Sequence, residues 1–194
     1  MLKAPRDVPF SCCCGQIKGT LRGAAPSTGT HLECFCADCR AAEVYVGQPD
    51  TPSVTLFQTS ADRFDIEQGQ GQLAVFSFGE KNLLRWHASC CGSIMFNTLR
   101  NPKTGFASIR VPLLADQDAI GPVITKAFIK TASGKSKHHG MARFVYGILV
   151  RMAAVRLSGS WKQTPFFDMA TLKPVCEVQV VAKEDRARIT ENLR

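Results

Sequence analysis

The chain has 194 residues, enough for one domain with a real core, and an ordinary globular make-up: 45% hydrophobic, 21% charged and 8% aromatic. It contains no apolar run of about 20 residues, which excludes a membrane-spanning helix, and its opening MLKAPRDVPF lacks the apolar core of a secretory signal. Lys and Arg outnumber Asp and Glu by 24 to 16, and the net charge of +8 favours an anionic partner: an acidic small molecule, nucleic acid or a membrane surface.

Nine cysteines without an export signal point to a reducing compartment, the cytoplasm, where they bind metal instead of pairing. The first group lies in SCCCGQIKGTLR, residues 11–22, where Cys12, Cys13 and Cys14 precede Gly15 and an alternating stretch with Ile17 and Leu21. This reads as a metal knuckle opening a strand. With a period of two, Cys12 and Cys14 face one way and can share a metal, while Cys13 faces the other as a packed thiol. Residues 23–29, with Pro26, form a loop.

The loop leads into HLECFCADCR, residues 31–40, where Cys34, Cys36 and Cys39 are spaced Cys-x-Cys-x-x-Cys. An extended 34–36 segment sends the first two sulfurs off one face, and the two-residue step lets the third converge on them. Three thiolates suit a zinc ion with one position open. The competing reading is a buried trio of reduced thiols or a disulfide. The pieces that follow, AAEVYVGQPD, SVTLFQTS, RFDIEQG and LAVFSFG, are alternating and separated by Gly, Pro and Asp, as in strands joined by tight turns. Residues 83–86, 93–97 and 106–111 continue the pattern around a third group, Cys90-Cys91-Gly92.

Cys12-x-Cys14-Gly15, then Cys34-x-Cys36-x-x-Cys39-Arg40, then Cys91-Gly92 before Ser93-Ile94-Met95-Phe96, resembles the glutathione-dependent formaldehyde-activating enzyme and centromere protein V family over roughly residues 10–112. The resemblance implies a mainly β fold, a β-tent of small antiparallel sheets around two zinc positions, with a C-terminal helical extension here. It implies a structural zinc on the first Cys-x-Cys and a late Cys-x-x-Cys-Gly, and a catalytic zinc on the central three cysteines. This chain departs at the late motif: Ala88 stands where the family has its other cysteine, and RWHASCCGSIMFNT offers Cys90 and His87 instead. It looks like a divergent subgroup. Either residue can complete the structural site, adjacent cysteines doing so with local strain, or Cys90 can close the central site as a fourth thiolate. A four-cysteine site is saturated, whereas a three-cysteine site can accept a substrate sulfur.

The expected metal ligands are therefore Cys12, Cys14, Cys34, Cys36, Cys39, Cys90 and Cys91, for one or two zinc ions, with Cys34, Cys36 and Cys39 as the catalytic set. An open three-thiolate zinc takes a thiol and deprotonates it. The resemblance implies glutathione as that thiol and formaldehyde as the electrophile, giving S-hydroxymethylglutathione in a carbon–sulfur lyase-like reaction. Arg40 and Arg85 are the cations nearest in sequence to bind the glutathione anion. The other function class is a non-catalytic zinc-stabilised binding module for a thiol or an anionic partner such as nucleic acid. No aromatic-plus-basic groove pattern of the kind single-stranded nucleic acid needs is visible.

The expected boundaries are a zinc-binding β domain at 8–115 and a C-terminal extension at 116–194. Within the extension, residues 122–130 have a partly helical look, and TASGKSKHHG is a loop whose His138-His139 pair reads as solvent-exposed. Met141, Phe144, Val145, Ile148, Leu149, Met152 and Val155 fall at helical spacing, predicting an amphipathic helix over about 140–157 that packs on the core and stops at Ser158-Gly159. Basic residues are densest from Lys126 to Arg156. SWKQTPFFDMATLKPV reads as an extended loop with Trp161, Phe166 and Phe167 packing inward, Cys176 as a small buried hydrophobe, 178–181 as a last strand, and the charged tail as a helix.

Overall fold

The structure, a computed structural model, describes residues 4–131 and 133–193. The first three residues of the N-terminal stretch, residue 132 of the TASGKSKHHG loop and the last residue of the tail lie outside the described residues. In chain order the strands are β1 (Arg6–Ser11), β2 (Lys18–Ala24), β3 (Thr30–Cys34), β4 (Val54–Ser60), β5 (Phe64–Gln68), β6 (Leu73–Ser77), β7 (Leu84–Ala88) and β8 (Ile94–Thr98). They continue as β9 (Phe106–Arg110), β10 (Thr125–Lys130), β11 (Ser136–His139) and β12 (Val178–Val180). The helices are α1 (Ala37–Tyr45), α2 (Met141–Ser158) and α3 (Lys183–Glu191).

The protein is mainly β, with two sheets. The smaller runs β1-β2-β5 and the larger β11-β10-β3-β4-β9-β8-β7-β6-β12. Most pairs are antiparallel, but β10 joins β3 and β12 joins β6 in parallel. Residues beyond 116 thus supply outer strands on both sides of the large sheet.

Alternation decides which way each strand faces. One face of the large sheet carries Phe57, Ile109, Phe96, Trp86 and Val75, opposite one another in register. These pack on Val8, Phe10, Leu21 and Phe64 of the small sheet. The aromatic centre is tight: Phe166 lies 5.1 Å from Phe96 and 5.2 Å from Trp86, ring centre to ring centre. Phe166 and Phe167 are both buried, so the extended loop after α2 plugs this core. Trp86 is wholly buried, and its Nε1–H donates to Thr98 Oγ1 at 2.9 Å.

The other face receives the helices. Residues 37–45, part of which the alternation assigns to a strand, are helical. Cys36 caps α1, its sulfur accepting from the Cys39 N–H, and Asp38 adds a negative charge in the first turn. Ala41 and Ala42 are small enough to seat α1 against Phe76, Phe78 and Ile94. The Arg110–Glu43 pair at 2.7 Å ties it to β9, and Arg186 of α3 reaches Asp38 at 2.6 Å.

Residues 125–130 are a strand instead of helical, because parallel pairing of Thr125, Lys126 and Ala127 with Leu32, Glu33 and Cys34 overrides the mixed local spacing. Part of the TASGKSKHHG stretch is likewise a strand, β11, folded back on β10. Helix α2 ends at Gly159 in the left-handed conformation. Met141, Phe144, Ile148, Met152 and Val155 face inward, but Val145 and Leu149 are exposed, together with Tyr146, Val150 and Leu157. The inward stripe is narrower than the spacing suggests, since α2 meets the sheet along one line only. No helix among the described residues is long and apolar enough to cross a membrane.

Candidate metal centres and the adjoining cavity

The knuckle after β1 and the turn after β7 bring Cys12, Cys14, Cys90 and Cys91 together, with all four sulfurs within 4.8 Å of one another. Cys14 and Cys90 are 3.3 Å apart, Cys12 and Cys14 3.6 Å, and Cys12 and Cys90 3.9 Å. Two left-handed glycines, Gly15 and Gly92, make the turns that let sulfurs close in sequence converge. Gly92 also touches the end of α1: a Cβ there would stand 2.2 Å from the Val46 carbonyl oxygen. The neighbouring Cys91 carbonyl accepts from Gln48 at 3.0 Å. Against the burial that pushes it up, hydrogen bonds from the Ser93 hydroxyl and backbone N–H groups hold the Cys91 thiol down at about 6.

Cys13 is exposed instead of packed, because the knuckle turns at this point and does not continue as a strand. His87 stays apart from the cluster. Its ring lies 5.6 Å from that of Phe76, and burial lowers its pKa. Ala88 is buried and serves as the carbonyl partner of the turn, accepting from Cys91 and Gly92.

The second cluster is formed by Cys34 at the end of β3, Cys36 at the helix cap and Cys39 in the first turn of α1, again with all sulfurs within 4.8 Å. No fourth His, Cys, Asp or Glu donor belongs to this set among the described residues, and Cys90 sits in the other cluster. Cys34 and Cys36 are 3.3 Å apart. Cys39 is buried and its thiol lies well below the ordinary range, because Cys34 and then Cys36 donate S–H bonds to it and the Arg85 guanidinium stands 3.9 Å away. Cys34 is pushed up by its hydrogen bonds with Cys36 and Cys39 and by burial. One thiolate shared by three close sulfurs is an incomplete arrangement: a divalent ion would neutralise all three at once, and the helix N-terminus favours their negative charge. Both donor sets therefore fit a soft or borderline divalent cation. Cys176 joins neither; it is half-buried and its S–H meets the Leu73 carbonyl at 3.0 Å.

The central cluster opens on a cavity of about 370 Å³ between the large sheet and α2. Four buried polar side chains cross its floor on adjacent strands, Arg85, Asn97, Ser108 and Gln58, each in register with the next, and buried Thr30 continues the row beside Gln58 outside the cavity. Arg85 donates to Asn97 Oδ1 at 3.1 Å, and Asn97 donates to Ser108 Oγ at 3.2 Å. Arg151 reaches down from α2 to Gln58 and, at 3.1 Å, to Thr30, and burial lowers its pKa to about 10. Asn97 and Ser108 had a legible signal, being polar residues at inward positions of apolar strands; the contribution of Arg151 did not. Arg85 thus lies at the cluster. Arg40 points to Asp50 in a pair of 2.7 Å and does not line the cavity, because its place in α1 turns it away from the thiol side.

Fold and site together define a mainly β protein with two cysteine clusters suited to metal, one on the floor of a cavity. The chain belongs to a family of unknown function (DUF6151), whose model matches residues 4–179. A crystal structure of a Rhodobacter sphaeroides protein is similar over 96% of its own chain and 59% of this one, with 18% identity and a TM-score of 0.43. No curated protein shows significant similarity to the chain.

Proposed function

We propose that Cys34, Cys36 and Cys39 hold zinc with one position open toward the cavity, and that the protein is a carbon–sulfur lyase-like enzyme joining a thiol to a small aldehyde or cleaving the adduct. The observation that carries this reading is the convergence of three sulfurs, with no fourth donor in the set, on the floor of a cavity. The cysteine order and spacing, with its resemblance to the glutathione-dependent formaldehyde-activating enzymes, nominates glutathione and formaldehyde as the first pair to try. Cys12, Cys14, Cys90 and Cys91 would hold a second, saturated zinc with a structural role.

Zinc, when bound at the central cluster, would supply a Lewis acid that keeps an incoming thiol ionised at neutral pH. The sulfur lone pair forms the new bond to carbon, the carbonyl π pair moves to oxygen, and that oxygen takes up the proton the thiol gave away. Arg85 stabilises the charge on Cys39 and, through Asn97, fixes Ser108. The Ser108 oxygen accepts from Asn97, leaving its own hydrogen for an oxygen in the cavity that gains charge. The α2 roof restricts water.

Zinc analysis of the wild type and Cys90→Ala, followed by glutathione titration and an assay of thiol-dependent formaldehyde loss, tests the reading. Two zinc ions, one answering to thiol, and turnover abolished by Cys36→Ser are expected. A metal content indifferent to thiol would reduce the central site to a structural role. A binding module is the second reading, favoured by one observation: between Asp118 and Asp168 the chain has eight Lys and Arg and no acidic residue, which equals its whole net charge of +8. Nucleic-acid affinity that falls steeply with salt, with no aldehyde turnover, would select it.

A further inference from the structure

The cavity beside the central cluster says what kind of thiol fits. Its walls are Leu32 and Leu56 from the sheet, Met141, Phe144 and Ile148 from α2, and Phe128 at the rim. The charged residues lining it are Arg85 and Asp38. Arg85 is occupied by Asn97 and Cys39, and Asp38 by Arg186. Glutathione brings two carboxylates and an ammonium, and with Arg85 the one cation in the lining, its Nη1 already turned to Asn97 and Cys39, at least one carboxylate would lose its water against these walls without gaining a cation.

Phe128 adds an independent sign. It is a non-glycine residue at φ 62, in a strand irregularity between β10 and β11, and its backbone N–H donates to His138 Nδ1 at 3.1 Å. Its ring stands edge-on to His138, the centres 4.9 Å apart, and remains 44% exposed. A strained aromatic held at a cavity rim, where burial does not account for it, fits a role toward a ligand. The cavity volume lies at the small end of ligand sites, which span about 300–1,000 Å³.

We propose that the thiol taken by the central site, on the reading given above, carries a short apolar body in place of a charged peptide. Its sulfur goes to the open metal position, its carbon chain lies under Phe144 and Ile148, and the polar floor at Ser108 and Gln58 receives the aldehyde oxygen.

The test uses the full-length protein loaded with cobalt in place of zinc, titrated with ethanethiol, propanethiol, butanethiol and glutathione. The readout is the sulfur-to-cobalt absorption difference that Cys36→Ser abolishes. Affinity is expected to rise about fourfold for each added methylene, the value for burying that group, with glutathione weaker than butanethiol. Ile148→Asn is expected to flatten the series. A flat series in the wild type, or glutathione binding more tightly than butanethiol, overturns the apolar proposal and leaves the open metal site standing. Silence toward every thiol in a cobalt-loaded central cluster overturns both.

Discussion

Gly92 shows how much can hang on one absent side chain. Its left-handed backbone forms the turn that presents Cys90 and Cys91, and its bare Cα lets that turn lie against the end of α1. Gly92→Ala should cost about 2 kcal/mol or more, from the backbone conformation and the clash with the Val46 carbonyl together. Urea unfolding would measure it, and one zinc equivalent should be lost. Phe166→Ala should be worse, about 3–5 kcal/mol, since the ring is wholly buried among Phe64, Trp86 and Phe96. Unchanged melting of that variant would mean the plug is not seated. Of these two, Phe166 was legible as a large apolar group in a polar loop. The role of Gly92 depends on Val46, 46 residues earlier in the chain, and no local pattern reports it.

Among the elements, the strands from β4 to β9 could be read from alternation, and β6 to β9 pair with one another in chain order. Two of the elements that escaped did so for opposite reasons. Helix α1 is only nine residues long, buries five residues in a row from Cys39 to Glu43, and so shows no polar stripe. Its cap is a cysteine, which the usual cap preferences do not include. Strand β10 takes its form from β3, far away in the chain, and its sequence mixes helical and strand spacing. Its seam with β3 is braced by Glu33, whose carboxyl is lowered chiefly by the Ser53 hydroxyl and then by Lys126 at 3.0 Å. A lowered native pKa means stabilisation that is full above the ordinary value of 4.5 and lost as pH falls through the folded value. Ser53→Ala should therefore shrink the loss of stability on acidification below that value, by less than about 1 kcal/mol given the partial exposure. Parallel urea midpoints for the two proteins would show it; identical acid profiles would mean that Ser53 has no part.

At the scale of the whole molecule, one cysteine cluster stitches regions distant in sequence and the other fastens two consecutive elements. One joins the knuckle after β1 to the turn after β7, and the other joins β3 to α1. Metal bound there would be part of the folding free energy. Stripping it with a chelator should lower the melting temperature by several degrees, and acid should do the same by returning protons to the thiolates. A melting temperature indifferent to chelation would show that the clusters hold without metal. The clusters themselves were legible in the cysteine spacing, whereas the cavity was not, since it needs strands and a helix from both halves of the chain.

The parallel pairs have a consequence for synthesis. Thr125 meets Leu32, and Val178 meets Val75, so each strand waits for a partner roughly a hundred residues downstream. While the chain is being made, the β3 and β6 flanks of the growing sheet stand open, with unpaired backbone donors and acceptors of the kind other chains can pair with. A protein ended at residue 177 would keep the β6 flank bare permanently, and light scattering should show it associating where the full chain does not. In the cell, about the last tenth of translation decides whether this sheet is finished or sticky.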